Sequence, residues 1–313
     1  MKKTALLLSL PILLFSCGGE ENSEMGETEG KKSVITTSDE FDDLQITTLD
    51  DKVAYSIGFN SAGDLREYTD SEKYSQYFNK EALKNGFYSG IASSDSSKAD
   101  DCNELLSTYF GTPGSFDTMY IKPNRASDCM GFMRGFEIRF SLAKRGVFNH
   151  LNADLIKKGF KDGTFDYDTL IPINDQVSII SEYFSSLTKK EGEAFLEKNK
   201  QRPEVTTADN GLQFEVIKEG TGAKPTLNST VSVYYTLSLI NGQVVESNAQ
   251  EPEPVSFPLN GVIQGWQQGL QLMRKGGIYK LYVPYELGYG HQGTQGIQPY
   301  TTLVFQIELV DFK

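Results

Sequence analysis

Few side chains in this 313-residue sequence have the types and spacing that covalent chemistry needs. Its two histidines, His150 and His291, stand far apart, and no cysteine or carboxylate falls at a ligand spacing from either, so no metal site is expected. There is no P-loop and no Gly-x-Ser-x-Gly elbow. Gly220-Thr221-Gly222 lies between strand patterns with no helix behind it to present amides, which makes it a turn and not a phosphate cradle. What remains is aromatic: 16 Tyr, 19 Phe and a single tryptophan, Trp266, whose indole N–H needs a partner wherever it is fully buried.

The elements that carry these rings alternate. Val231, Val233, Tyr235, Leu237 and Leu239 mark one strand face, followed by Asn241-Gly242, a dipeptide favoured in tight hairpins. Tyr279, Leu281 and Val283 alternate again, as do Leu303, Phe305, Ile307 and Leu309, so an antiparallel sheet with one buried face is expected. Ile263, Trp266, Leu270 and Met273 recur at helical spacing and predict one short helix packed on that sheet.

Upstream, residues 44 to 200 show helical spacing. Asp50 and Asp51 suit the start of a helix bearing Val53, Tyr55, Ile57 and Phe59. Leu83, Phe87 and Ile91 predict a second helix, and the two are expected to form an αα-hairpin. An echo follows. Asp51, Tyr55, Gly58 and Phe59 match Asp128, Phe132, Gly135 and Phe136 at one offset; Leu83, Gly86, Phe87 and Gly90 match Ile156, Gly159, Phe160 and Gly163 at another. Two related hairpins are therefore expected, chance similarity being the alternative. Glycine inside a helix costs about 1 kcal/mol against alanine, so close helix crossings are the physical reason to look for at Gly58 and Gly135. Gly111 to Asn124 is a connecting loop by its breakers. Val177, Ile180, Phe184 and Leu187 stripe one last helix, whose apolar face must bury against something, and a homodimer through this region is expected. Pro203 and the polar Thr206 to Asn210 mark a domain boundary.

Length allows about two folded units. Hydrophobic residues at 38% exclude a disordered polyelectrolyte and a multi-span membrane protein. With 30 basic against 42 acidic residues the net charge is -12, which opposes nucleic-acid binding. Lys2 and Lys3 precede an apolar run, Ala5 to Phe15, that is too short to span a bilayer and reads as a signal peptide over residues 1–16. Leu14-Phe15-Ser16-Cys17 resembles the lipobox of bacterial lipoproteins and implies lipidation at Cys17. Residues 17–43 are expected to form a flexible acidic tether. Gly18 after that cysteine points to an outer membrane, facing the periplasm. Cys102 and Cys129 form either a disulfide or two separate buried thiols.

Gly211-Leu212-Gln213-Phe214, Val233-Tyr234-Tyr235-Thr236, Val262-Ile263-Gln264-Gly265-Trp266, Gly288-Tyr289-Gly290 and the ending Thr302 to Leu309 together resemble the FKBP-type peptidyl-prolyl isomerases over residues 204–313. Asp51 to Gly58 is similar to the dimerisation domain of the Mip-like and FkpA-type envelope members. The resemblance implies an α+β fold: an all-α N-terminal domain over 44–200, then an antiparallel β-sheet wrapped around one short helix. It also implies a cofactor-free isomerase acting on proline-containing polypeptide clients of the cell envelope. Trp266 would floor the cleft, with Tyr235, Phe305, Ile297 and Val262 around it, and the Ile263 N–H and Tyr289 hydroxyl would bond substrate carbonyls. Val245 and Glu246 stand where the family usually has Phe-Asp, and Val255 where another pocket Phe is common, so a thinner wall and reduced turnover are expected. A peptide-binding chaperone with vestigial isomerase activity is the alternative. No family histidine aligns with His291, which is expected to be solvated.

Because the tether carries no core residue, Cys17→Ser should move the protein from the membrane pellet to the soluble fraction with its fold intact. Fractionation checks this, and a Ser variant retained in the pellet as fully as the parent overturns the lipobox reading.

Overall fold

The structure, a computed structural model, describes residues 41 to 313 except 42, 111–120 and 168. The signal peptide, Cys17, the tether to residue 40 and most of the loop expected from Gly111 lie outside the described residues. Phe41 was expected in the tether, yet it is buried and meets Tyr88 edge-on, 5.8 Å between centroids, so ordered packing begins before residue 44.

Seven α-helices and seven strands are described. Thr48 caps α1 (Leu49–Thr69) in a reciprocal box with Asp51, each side chain accepting from the other's backbone N–H. Asn79 caps α2 (Lys80–Ala92) and Asn152 caps α5 (Ala153–Lys161), while Pro123 opens α4 (Pro123–Lys144), where its missing N–H costs nothing. A π-helical turn, Asp162–Asp166, continues α5, and α6 runs Ile173–Asn199. The helix α3 (Ser97–Tyr109) has no counterpart in the sequence reading, because it fully buries only Ala99, Cys102 and Tyr109, with Leu105 and Leu106 half-covered, and is polar elsewhere. Cys102 and Cys129 are disulfide-bonded, which ties α3 to α4. Among the described residues no helix is long and apolar enough to cross a membrane.

The chain forms two compact units, residues up to 181 and 182–313. In the first, the helices do not pair as expected. α1 lies along α5 and α2 along α4, so each helix takes its partner from the other half of the repeat. Glycine makes these contacts close: a Cβ on Gly58 would fall 1.9 Å from the Ile156 carbonyl oxygen, and one on Gly86 2.0 Å from that of Asp128. Gly131 and Gly159 make the reciprocal contacts from α4 and α5, against Leu83 and Tyr55. The echo also needs correction by one helical turn. Gly58-Phe59 corresponds in packing to Gly131-Phe132, not to Gly135-Phe136.

In the second unit a single antiparallel sheet runs β1-β2-β6-β7-β3-β4, with β5 also on β3. Its strands are β1 (Val205–Thr207), β2 (Gln213–Lys218), β3 (Thr230–Leu239), β4 (Val244–Ser247), β5 (Val255–Pro258), β6 (Ile278–Val283) and β7 (Leu303–Phe312), with α7 (Gln264–Leu272) as the one helix between strands. Asn241-Gly242 makes the expected turn, with Gly242 at φ +84°. Strand β1 falls inside the stretch read as a boundary, and the second unit takes in the end of α6 ahead of residue 204. Gly192 there abuts Thr302, and Phe195 lies 5.9 Å from the Tyr282 ring. Along the α6 stripe, Ile180 and Phe184 are buried, while Val177 is 62% exposed.

Gly131→Val should lower the melting temperature of the helical unit, since its side chain meets the Leu83 backbone, at a cost of about 3 kcal/mol or more. Ellipticity at 222 nm reads that transition, and Trp266 fluorescence should report an unshifted sheet unit. Gly63→Ala is the control: nothing lies within 4 Å of its Cβ position, so relief of helical glycine should raise stability by up to about 1 kcal/mol.

Candidate active site

The site is built around how deeply α7 sits on the sheet. Gly265 and Gly269, one turn apart, face β6, where added Cβ atoms would come within 2.4 Å of Val283 and 2.3 Å of Leu281. With no side chain of its own at these two positions, the helix seats its backbone directly on the Val283 and Leu281 side chains, and Trp266 is carried into the core. Three rings stand edge-on to its indole: Tyr235 of β3 at 5.2 Å, Phe305 of β7 at 5.3 Å and Phe257 of β5 at 5.7 Å between centroids. Edge-to-face contact suits the quadrupoles of such rings and adds to the burial of their area. Ile297 is buried in the same cluster, and Val255, Val262 and Ile263 pack against it partly exposed.

Polar groups hold this apolar set in place. The Tyr235 hydroxyl donates to Glu246 Oε1 at 2.5 Å. Burial first, then that carboxylate, raises the phenol's pKa far above its ordinary value, so the group stays a donor. Asn248, buried after β4, accepts from the Tyr235 N–H at 2.7 Å and donates to the Val233 carbonyl, fastening the loop to the strand beside the ring. Gln267 Nε2 donates to the Val262 carbonyl at 2.8 Å and so steadies the segment ahead of α7. A tight turn in which Ile297 and Thr294 exchange backbone hydrogen bonds sets Ile297.

Several donors remain unused. Among the described residues the Ile263 N–H, which precedes the first turn of α7, and the Tyr289 hydroxyl have no acceptor, and the Trp266 Nε1 is buried without one. Tyr289 is 38% exposed, and burial followed by the Glu246 charge raises its pKa. Of the other residues expected here, Val245 is the unpaired residue of a bulge in β4 and is exposed, so it stands at the rim and outside the buried cluster. His291 is exposed. Phe257 was missed: it lies two residues beyond Val255 on the same strand face and restores an aromatic wall where the sequence promised only valine. Asn248 and Gln267 were missed as well, since nothing in a lone polar residue announces which backbone group it will bind.

Residues 221–310 match the family described as FKBP-type peptidyl-prolyl cis-trans isomerase, and residues 124–216 match the domain amino terminal to it. The chain is 32% identical over 201 residues to the outer membrane protein MIP of Legionella longbeachae, covering 59% of this chain and 85% of that one. It is 46% identical over 121 residues to the peptidyl-prolyl cis-trans isomerase Mip of Coxiella burnetii, covering 38% of this chain and 53% of that one. Among solved structures, FkpA from Escherichia coli aligns at 30% identity and a TM-score of 0.44, over 62% of this chain and 98% of that one.

The tyrosine–carboxylate pairs give the sheet unit a pH limit. Tyr279, which donates to Glu219 at 2.8 Å, is raised to about 12 by burial and then that bond, and Tyr235 is raised for the same reasons. Unfolded phenols titrate near 10, so above that pH the folded state binds more protons and stability falls as pH rises. The denaturation midpoint read by Trp266 fluorescence should be flat below about pH 10 and decline beyond it. Combined Tyr235→Phe and Tyr279→Phe should flatten the decline.

Proposed function

The chain belongs to the FKBP-type peptidyl-prolyl cis-trans isomerases and is an enzyme of that class, and we propose that it turns X-Pro bonds of envelope polypeptides in the cleft around Trp266. The observation that carries this reading is an indole walled edge-on by Tyr235, Phe257 and Phe305 beside two unengaged donors, the Ile263 N–H and the Tyr289 hydroxyl.

The barrier to be lowered, about 18–20 kcal/mol, comes from amide resonance, and no bond is made or broken in crossing it. A twisted amide has lost resonance and much of its charge separation, so an apolar, water-poor cleft favours it relative to the planar ground state. Trp266 serves as floor to the proline ring, and Tyr235, Phe257, Phe305, Ile297, Val262 and Val255 as walls. The two free donors hold the flanking carbonyls so that rotation is confined to one bond. Glu246 acts through Tyr235, fixing its ring, and is a positioning residue.

Lipid on Cys17 would keep this activity at a membrane surface. The relative named as an outer membrane protein supports an envelope setting, and Gly18 favours the outer membrane facing the periplasm. Val245 at the rim and Val255 in the wall favour a second reading, peptide binding with slow turnover, in which the protein serves chiefly as a chaperone.

Proline-limited refolding, followed with catalytic amounts of the protein, separates the two. Acceleration abolished by Trp266→Ala supports isomerisation; suppressed aggregation without acceleration supports the second reading. Val245→Phe with Glu246→Asp should raise kcat/KM on a Phe-Pro peptide about tenfold, the worth of about 1–2 kcal/mol of added aromatic burial. Tyr235→Phe should lower activity only modestly, because no step needs its proton. If neither the double replacement nor Trp266→Ala changed activity, this cleft would not be the site.

A further inference from the structure

The packing of the first unit obeys a single sequence offset. Gly58 meets the backbone of Ile156 and Phe160; Gly131, which is 73 residues later, meets Leu83 and Phe87, each 73 residues earlier than those partners. Gly159 meets Tyr55 and Phe59, and Gly86 meets Asp128 under the same shift. The shift also carries features that no close contact requires. It relates the two capping asparagines, Asn79 and Asn152, and the i,i+3 ion pairs Glu81–Lys84 (2.6 Å) and Asp154–Lys157 (2.9 Å). It further relates two small clusters, Phe132 with Leu106 and Phe59 with Ile179, so the start of α6 corresponds to α3.

One contact fixes the symmetry. Phe87 and Phe160 are equivalent under the shift, and their rings stack on each other, 3.7 Å between centroids and 2° from parallel. A self-contact between equivalent residues, flanked by contacts that are reciprocal between the two copies, is the signature of a two-fold axis. The exchanged pairing has the same origin: α1 on α5 and α4 on α2 are one contact made twice.

We propose that the helical unit is a two-fold dimer built from one chain: α1–α3 and α4 to the start of α6 are two copies that exchange partners about an axis between Phe87 and Phe160. The self-complementary face of a two-fold interface is thereby consumed within the molecule. The protein is then a monomer with one isomerase unit, in place of the homodimer expected from the α6 stripe. Only the second copy continues into a sheet unit, since α3 ends at Tyr109 where α6 runs on to Asn199. The family's amino-terminal domain likewise matches a single copy, residues 124–216, and leaves α1 to α3 outside it.

The native disulfide makes the idea testable, because it joins α3 of the first copy to α4 of the second. The chain from Gly18 onward, which keeps every described residue, should scatter light as one chain from 1 to 100 µM. On a non-reducing gel it should run at monomer mass, with Cys102 joined to Cys129 of the same chain by peptide mapping. A two-chain mass in solution overturns the proposal. If the gel also shows covalent dimers through Cys102–Cys129, the exchange runs between molecules; if the bond stays within one chain, a different face pairs them.

Discussion

Helical glycines that allow backbone to approach backbone, or backbone to approach strand, set the geometry of both units. In the first, six such residues, Gly58, Gly86, Gly90, Gly131, Gly135 and Gly159, bring α1 onto α5 and α2 onto α4, with no room for a Cβ at any of them. In the second, Gly265 and Gly269 lower α7 onto β6. Each helical glycine forgoes about 1 kcal/mol of intrinsic preference. The compensation is shorter separation along an entire interface, where dispersion contacts accumulate and large rings such as Phe87 and Phe160 become fully buried.

The cleft inherits its shape from that approach. Were α7 lifted by one methyl group at either glycine, Trp266 would move away from Tyr235, Phe257 and Phe305, whose positions are fixed independently by β3, β5 and β7. The hydrogen bonds of Asn248, Gln267 and Glu246 then act on elements already in register. Because the reaction is a rotation, the site needs no tuned acid or base, and its one strongly shifted phenol is shifted toward inertness.

Legibility in the sequence followed the range of the signal. Alternation in β3, β6 and β7 and the helical patch around Trp266 are local patterns repeated over several residues, so the sheet and its helix could be read directly, whereas the Tyr235, Trp266, Phe305 and Ile297 set came from the family resemblance and from no periodicity. Partner choice among helices could not. The spacing within α1 and α2 is the same whether they pack on each other or on α5 and α4, and only the three-dimensional contacts distinguish the two. The repeat was misread by a turn because Gly-Phe occurs twice in α4, at Gly131-Phe132 and Gly135-Phe136, and both lie on one helix face. Phe257 carries little signal of its own, because β5 spans only Val255–Pro258, too short for alternation to mark which of its residues face the core.

An internal two-fold changes what the stability of the helical unit depends on. A fold completed by a second molecule loses stability as its concentration falls, since the partner acts by mass action. Tethering the two copies in one chain makes the same contact intramolecular, at an effective concentration in the millimolar range for a short linker. The disulfide between α3 and α4 strengthens that arrangement. It closes a 27-residue span across the junction of the copies and removes about 3–4 kcal/mol worth of freedom from the unfolded chain, in the chain-entropy account. Such a unit stays folded however sparsely the protein is distributed.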